Sequence, residues 1–565
     1  MCGFLYIQQA EHFKASDQII FDKGLELLEY RGPDNKSSLL LQNQYFGHVR
    51  LAIQDISEGS NQPVDDDYST LLYNGEIYNF KDFQGHFASD TLFLKDYLKR
   101  KQDLSSLNGM FSILEVCKQS NDVILYRDFY GEKPLYYFQN NEILIISSTI
   151  KSIIFILKSY KKICLPYNQN SIEDYLMFGF VRDPLTIYEN IFSVPRNSKT
   201  VLKNGCIKST TLFPYSTFNQ NHFDDNIFNC MHVSDVEPNL LLSSGIDSTY
   251  LLSQAMVRKK PIRSLSLSLL DSNDELLDIK KNLNHFKDIY SQDVLHEVYV
   301  DNSFGSLDLL NNYISIMEQP SSDGLNLYTL LNHFNSKDLK LIITGIGGDE
   351  LFGGYHSFKN YKYLKYPKIN TLFSKFIGKK FKRFGLTKKL LSKFNNPMLV
   401  YYFLYRLDLD ISLHEGEDKM SNSLARMDDN YNIGHLAPMT QLKYFESFDY
   451  MSNQILRDND NISMSYGIES RAPMLSKNSL HNDVLGKSNL KEYLSKLGIN
   501  FGHKRGFNSA LLSELEMQKI YEYINENITK ISQVKSVAPG SHIKIYTLLK
   551  WLESNNLSTI STSKR

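Results

Sequence analysis

Residues 239–257 read NLLLSSGIDSTYLLSQAMV. A short apolar run, NLLL, meets a serine- and glycine-rich turn, SSGIDS, and an amphipathic helix is expected from about Thr249. A strand that feeds a helix through a tight turn gathers backbone N–H groups and the helix N-terminus around one point, which suits an anion. Gly245 permits close backbone approach. Ser243 and Ser248 add hydroxyl donors, and Asp247 makes sense in a phosphate loop if Mg²⁺ bridges it to phosphate oxygens. A plain capped helix start reads the same way. A second strand, LKLIIT at 339–344, ends in another glycine-rich turn, TGIGGDELFGGY at 344–355. Strands alternating with helices predict a parallel sheet. Beyond about residue 355 the chain reads mostly as helix.

Upstream the texture differs. Short apolar runs broken by turns predict strands at 4–7, 38–42, 69–73, 111–116 and 122–126, with helices around 17–29 and 90–101. That mixture predicts packed sheets with helices, an α+β layered domain. Segment 215–235 is polar and weakly patterned, as a linker or domain edge is. The 565 residues allow two or three domains, and no internal repeat interrupts them.

Composition narrows the function classes. Apolar residues make up 42% and charged residues 22%, and the net charge of -1 gives no global field for nucleic acid. Aromatics reach 13% through 36 Tyr and 34 Phe, read as core and not as a base-stacking platform. Five cysteines without CxxC spacing argue against a disulfide framework or a zinc site. No apolar run of membrane-spanning length and no signal peptide is present, so a cytoplasmic location is expected. Cys2 directly follows Met1. Removal of the methionine leaves a free α-amine, with a pKa of about 7.7–8.0, beside the thiol it can deprotonate.

Five segments follow Cys2 in order: YRGPD (30–34), GHVRLAIQD (47–55), NQP (61–63), NGEIYN (74–79) and RDFYGEKPLYY (127–137). Together they resemble the class II glutamine amidotransferase domain. SSGIDS resembles the SGGxDS loop of ATP pyrophosphatases, with Ser244 in place of the second glycine. LRDNDNISMSYGIESRAPML (456–475) and HKRGF (503–507) complete a resemblance to the glutamine-hydrolysing asparagine synthetase family. The resemblance implies a glutaminase domain over 1–214, a four-layer sandwich of two antiparallel sheets between helices. A linker or edge at 215–235 follows, then an α/β ATP-pyrophosphatase domain over 236–565 with a parallel sheet and a helical C-terminal part. It implies Cys2 as nucleophile and Asn74 with Gly75 as oxyanion hole. Arg50, Glu76 and Asp90 hold glutamine. Ser243, Gly245, Asp247, Ser248 and Gly345 bind ATP, Asp247 and Asp349 bind Mg²⁺, and Lys504 faces the departing pyrophosphate. For Asn74–Gly75 the alternative is a type I′ hairpin turn. The implied partners are glutamine, ATP and a carboxylate acceptor, with no nucleic acid and with homodimer formation allowed.

Departures mark this chain. Tyr30 replaces a histidine, Thr149 a glutamate, Asn461 an arginine and Ser476 an aspartate, and VPRNS at 194–198 lacks the usual PPG. Ile346 stands where the family carries an acid beside the acyl-adenylate, and EQPSSDGLNLYTLL (318–331) departs from the usual pattern near the acceptor. Leu351 through Leu407 contains no acid, and 359–393 is lysine-rich with interleaved aromatics. That stretch is read either as the solvated face of amphipathic helices or as a peripheral contact for a lipid-linked glycan. Three outcomes remain: asparagine formation from aspartate, amidation of a uronic acid in a surface polysaccharide, and an inactive scaffold on the same fold.

Overall fold

Strand β1 (Cys2–Gln9) is buried along its whole length, so FLYI reads as a continuous apolar run without alternation. Its two faces serve two cores. Phe4 and Tyr6 pack with Phe46, Leu72, Leu114, Leu125 and Ile146. Leu5 and Ile7 pack with Phe21, Leu25 and Ile153 of the helices Ala15–Glu26 and Ile150–Ile156. In the computed structural model the described residues are 2–203, 205–213, 223–260, 262–269, 273–301, 306–334, 339–361, 390, 392–408, 411–413, 416–430, 433–475, 487–499 and 512–555. Lys504 and Ser476, and nearly all of the basic 359–393 stretch, lie outside them.

Two antiparallel sheets form the N-terminal part. The first uses β1, β2 (Asn35–Leu41), β3 (Gln44–Arg50), β8 (Tyr136–Gln139), β9 (Ile143–Ser147) and β10 (Ile191–Ser193), in the order β10-β8-β9-β1-β3-β2. The second uses β4 (Val64–Asp65), β5 (Ser69–Ile77), β6 (Gly109–Cys117), β7 (Val123–Arg127), β11 (Ser198–Lys203) and β12 (Cys206–Leu212), in the order β12-β11-β7-β6-β5-β4. The outer face of the second sheet, Leu71, Tyr73, Ile113 and Tyr126, packs on Phe93, Leu94 and Tyr97 of helix Asp90–Lys99. Helices, sheet, sheet and helix make the four layers that the resemblance implies. The hairpin-turn alternative for Asn74–Gly75 is overturned. Both residues lie inside β5, paired with Ser112 and Phe111 of β6. The strand expected at 69–73 runs on to Ile77 because cross-strand pairing continues where the local sequence looks like a turn.

The second part carries a five-stranded sheet built from β13 (Pro238–Leu241), β14 (Arg263–Leu269), β15 (His296–Asp301), β16 (Leu341–Ile343) and β18 (Glu469–Arg471). The order is β15-β14-β13-β16-β18, every pair parallel. Strand order reverses at β13, and in such sheets ligands bind outside the carboxyl ends at the reversal. The loops after β13 and β16 are SSGIDS and TGIGGDE. The helix expected from about Thr249 begins at Ile246, so Asp247 and Ser248 stand in its first turn. Within 215–235 the helix Phe223–His232 buries Phe223, Ile227, Cys230 and Met231. The C-terminal part is helical, with β18 returning to the sheet and a small pair formed by β17 (Ile411–Leu413) and β19 (Val534–Val537). Among the described residues no helix is long and apolar enough to cross a membrane.

Candidate active site

The first constellation gathers on β1, β3 and β5. Cys2 pairs across the ladder with Arg50, and its backbone N–H donates to Asn74 Oδ1 at 3.0 Å. That bond commits the amide oxygen. Asn74 is fully buried and its Nδ2 has no partner among the described residues, so one donor is held in place close to Cys2. Gly75 sits so close to β6 that a Cβ there would lie 2.1 Å from the Met110 carbonyl oxygen. Only glycine lets β5 run past the site at this spacing. Burial pushes the Cys2 thiol up, against a hydrogen bond from the Leu51 backbone and the charge of Arg50. The thiol therefore needs a base before it can attack.

Arg50 donates to the carbonyls of Ser57 (2.6 Å) and Gln54 (3.2 Å), to the Asp55 carbonyl and to Asn61 Oδ1 (2.9 Å). It shapes the 54–61 loop as well as bringing charge to the site. Glu76 accepts from Gln54 Nε2, and burial, with Glu469 and Asp90 nearby, raises it well above the usual carboxylate range. Asp90 accepts from Tyr73 Oη at 2.7 Å and from the Ile77 N–H at 3.0 Å. All six N-terminal residues singled out from the sequence thus fall on one neighbourhood of β1, β3, β5 and the start of helix Asp90–Lys99.

The second constellation lines a cleft of about 580 Å³ whose walls include Ser243, Gly245, Asp247, Ser248, Gly345 and Asp349. Ser248 Oγ donates to the Ser243 carbonyl (3.0 Å), accepts from the Ser243 N–H (3.1 Å) and lies 3.0 Å from Ser243 Oγ. The loop is closed on itself before any ligand arrives. Ser244, in place of a glycine, sends its N–H to Glu275 Oε1 at 3.2 Å. The turn after β16 presses on Asp247. A Cβ at Gly348 would meet its carboxylate at 2.3 Å. Glu350 accepts from Tyr355 Oη, and burial pushes it up to about 7.

Lys487 opens the helix Lys487–Lys496 and was not singled out by any motif. Its Nζ lies 2.6 and 2.5 Å from the carboxylate oxygens of Asp247 and 2.9 Å from Asp349 Oδ1. Two carboxylates converging on one cation are a donor set that suits a hard divalent ion, so Asp247 and Asp349 fit Mg²⁺.

Between the constellations lies a buried ionic seam. Arg31 donates from Nε to the Cys2 carbonyl (3.2 Å) and pairs through both terminal nitrogens with Asp460 (2.9 and 3.1 Å). Lys133 stands 3.7 Å from Asp460. Arg471, on β18, pairs with Glu469 (2.6 Å), reaches Glu76 (3.6 Å) and donates to the Cys230 and Val233 carbonyls. Two departures noted in the sequence meet here at Glu318. Its carboxylate accepts from the Ile150 and Lys151 N–H groups (2.7 and 3.0 Å), just past Thr149, and from Tyr30 Oη at 3.5 Å. Arg471 and Asp460 sit in the quoted 456–475 segment, but nothing local assigns them to a seam. That follows only from the packing of the two parts.

A model of the glutamine amidotransferase domain matches residues 1–213, and a model of asparagine synthase matches residues 220–480. Asparagine synthetase (glutamine-hydrolyzing) 1 of Bacillus subtilis (strain 168) is 26% identical over 540 residues, 84% of this chain and 80% of that protein. Asparagine synthetase B (glutamine-hydrolyzing) of Escherichia coli (strain K12) is 23% identical over 380 residues, 59% of this chain and 61% of that protein. Amidase chry2 of Gibberella zeae is 23% identical over 412 residues, 64% of this chain and 60% of that protein.

Proposed function

Because the chain belongs to the glutamine-hydrolysing asparagine synthetase family, we propose that it amidates an acceptor carboxylate with ammonia drawn from glutamine, most economically aspartate to asparagine, at the expense of ATP. The observation that carries the reading is the Asn74 amide, its oxygen fixed by Cys2 N–H and its nitrogen buried without a partner among the described residues.

In this reading Cys2 Sγ attacks the side-chain amide carbon of glutamine. The new C–S bond pushes an electron pair onto the oxygen, where Asn74 Nδ2–H and the Gly75 N–H hold it. Collapse expels ammonia and leaves a thioester, which water cleaves to glutamate. The α-amine of Cys2, free after loss of Met1, takes the thiol proton and returns it to the leaving nitrogen. Arg50 faces the glutamine carboxylate, and Asp90 with Glu76 faces its ammonium. At the cleft, Ser243, Gly245, Ser248 and Gly345 cradle ATP, and Asp247 and Asp349 would hold Mg²⁺. When bound, Mg²⁺ neutralises phosphate oxygens. An acceptor carboxylate oxygen attacks the α-phosphorus, the α–β phosphoanhydride bond breaks and pyrophosphate leaves, its charge met by Lys504 if the motif's role carries over. Ammonia then attacks the acyl carbon and AMP departs. The adenylate must be kept from water, so in this reading ammonia crosses the protein interior from the first constellation to the second. We draw the division between the two catalytic units through 215–235.

Ile346 favours a second reading. It lines the cleft, and an apolar side chain there suits the face of a sugar ring, hence a uronic acid on a glycan carrier. The test is incubation with glutamine, Mg²⁺-ATP and aspartate, or a nucleotide-linked uronic acid, with AMP and pyrophosphate measured. Efficient turnover of aspartate supports the first reading and removes the second. ADP and phosphate as products would remove both.

A further inference from the structure

Helix Arg457–Ser465 presents a carboxylate that the reaction as described leaves without a task. Asp458 is 2% exposed, yet it borders the same cleft as Asp247, Asp349 and Ile346. One oxygen, Oδ2, accepts from Ser321 Oγ. The other, Oδ1, is buried with no partner among the described residues. An unpaired buried carboxylate oxygen is costly, so a protein that keeps one gains when a ligand supplies the missing donor. The neighbouring guanidinium does not supply it. Arg457 donates to the Val181 carbonyl at 3.0 Å, and no ion pair joins it to Asp458 among the described residues.

The orientation of Asp458 is built from elsewhere in the chain. Ser321 is fully buried and belongs to the 318–331 segment whose sequence departs from the family pattern. Gly324, at φ +92°, brings that segment so close to Asp458 that a Cβ would lie 3.5 Å from the aspartate Cβ and 2.7 Å from Ile462. Beside it Asp323 gives the cleft wall a second carboxylate, which accepts from the Gly324 N–H (2.8 Å) and lies 3.4 Å from Tyr450 Oη. Among the described residues no lysine or arginine lines this cleft, and the cation Lys487 is held by two of its other acids, Asp247 and Asp349.

We infer that Asp458, steadied by Ser321 and flanked by Asp323, is a specificity-determining residue that takes a hydrogen-bond-donating group of the acceptor, an ammonium or a hydroxyl, and rejects a second carboxylate at that place. The inference rests on the amidation reading and assigns the acceptor's contact within it. Burial pushes Asp458 up to about 8, against Arg457 and the Ser321 hydroxyl, with Asp323 adding to the rise. A donor from the acceptor relieves that cost, and an anion adds to it.

The test uses the full-length enzyme with glutamine, Mg²⁺-ATP and three probes: L-aspartate, which offers an ammonium; D-glucuronate, which offers hydroxyls; and succinate, which offers neither. Acceptor-dependent pyrophosphate release is measured for the parent, Asp458→Asn and Ser321→Ala. The parent should prefer aspartate or glucuronate over succinate by at least about tenfold in kcat/KM, and the winner identifies the donor. Asp458→Asn should raise the KM for that acceptor about tenfold or more while leaving the KM for ATP and the glutaminase kcat in place. Ser321→Ala, which frees the aspartate without removing it, should shift the acceptor KM in the same direction by less. Equal use of succinate, or an acceptor KM unmoved by Asp458→Asn, overturns the inference and leaves the amidation reading standing. Absence of pyrophosphate release with all three probes and with a nucleotide-linked uronic acid, in enzyme that still hydrolyses glutamine, overturns both.

Discussion

Asn74 divides its amide between two tasks, and the division can be tested by removing it. With Oδ1 on Cys2 N–H and Nδ2 kept for the oxyanion, Asn74→Ala loses both the nucleophile's anchor and one charge-stabilising donor. The expected outcome is a fall in glutaminase kcat of about 10²–10³-fold, with pyrophosphate release driven by added ammonium chloride unchanged. Parallel assays with the two nitrogen sources check it, and an equal loss in both would mean that Asn74 only holds the fold. Gly348 offers the converse case. A methyl group placed 2.3 Å from the Asp247 carboxylate displaces that acid, so Gly348→Ala should lower ammonia-driven pyrophosphate release roughly 10²-fold and leave the basal glutamine hydrolysis measured without ATP unchanged. Cys2, Asn74, Asp247 and Asp349 lie in segments that the family resemblance singles out, and the structure brings Cys2 to Asn74 and Asp247 to the same cleft as Asp349. Lys487, Asp458 and the capping role of Glu318 were not legible in that way. Each is defined by what another stretch of chain brings to it, 240 residues away in the case of Lys487 and Asp247.

The sandwich strands differ in how plainly the sequence announced them. β1 and β5 through β7 are apolar and bounded by turns, and each was expected. β3 is buried throughout but reads QYFGHVR, with polar residues that find partners only across the sheets. His48 is one of these. Its ring is fully buried, with Nε2 3.2 Å from the Tyr73 carbonyl oxygen, and burial pushes it down to about 3. Between about pH 3 and the ordinary imidazole value of 6.5 the unfolded chain binds a proton that the folded chain refuses, so stability rises with pH over this window and is lost as pH falls through it. Urea unfolding at stepped pH should give a positive slope there, and His48→Gln should flatten it. A slope unchanged in the variant would assign the acid limb to other groups. The helix Ile150–Ile156 teaches the same lesson at its start. Its cap comes from Glu318, and Glu318→Gln should weaken it by about 1 kcal/mol, read as a lower urea midpoint at neutral pH.

At the scale of the molecule, an ammonia donor and an ATP-dependent acceptor site are useful together only if one does not run without the other. The seam gives that dependence a physical form. Arg31 holds the Cys2 carbonyl with Nε and Asp460 with its other nitrogens. Asp460 sits two residues beyond Asp458 on helix Arg457–Ser465, so one short helix borders the cleft and reaches the nucleophile's strand through Arg31. Asp460→Asn keeps the volume and removes the charge. It leaves Arg31 buried at 0% exposure with Lys133 nearby and no acid between them, a loss on the order of 3–5 kcal/mol for a buried pair broken on one side. Arg31 must then reorient or draw in water, and either change loosens the hold on Cys2 from the synthetase side. The expected result is glutamine hydrolysis that no longer keeps step with adenylation: glutamate formed per AMP near one in the parent and well above one in Asp460→Asn, with a lower unfolding temperature. Arg31→Lys should fall between them, since an ammonium can meet Asp460 or the Cys2 carbonyl but lacks the fork to hold both. A destabilised Asp460→Asn whose ratio stays at one would make the seam a matter of stability alone. A ratio that rises at unchanged unfolding temperature would place the coupling in the orientation of Arg31 and not in the strength of the interface.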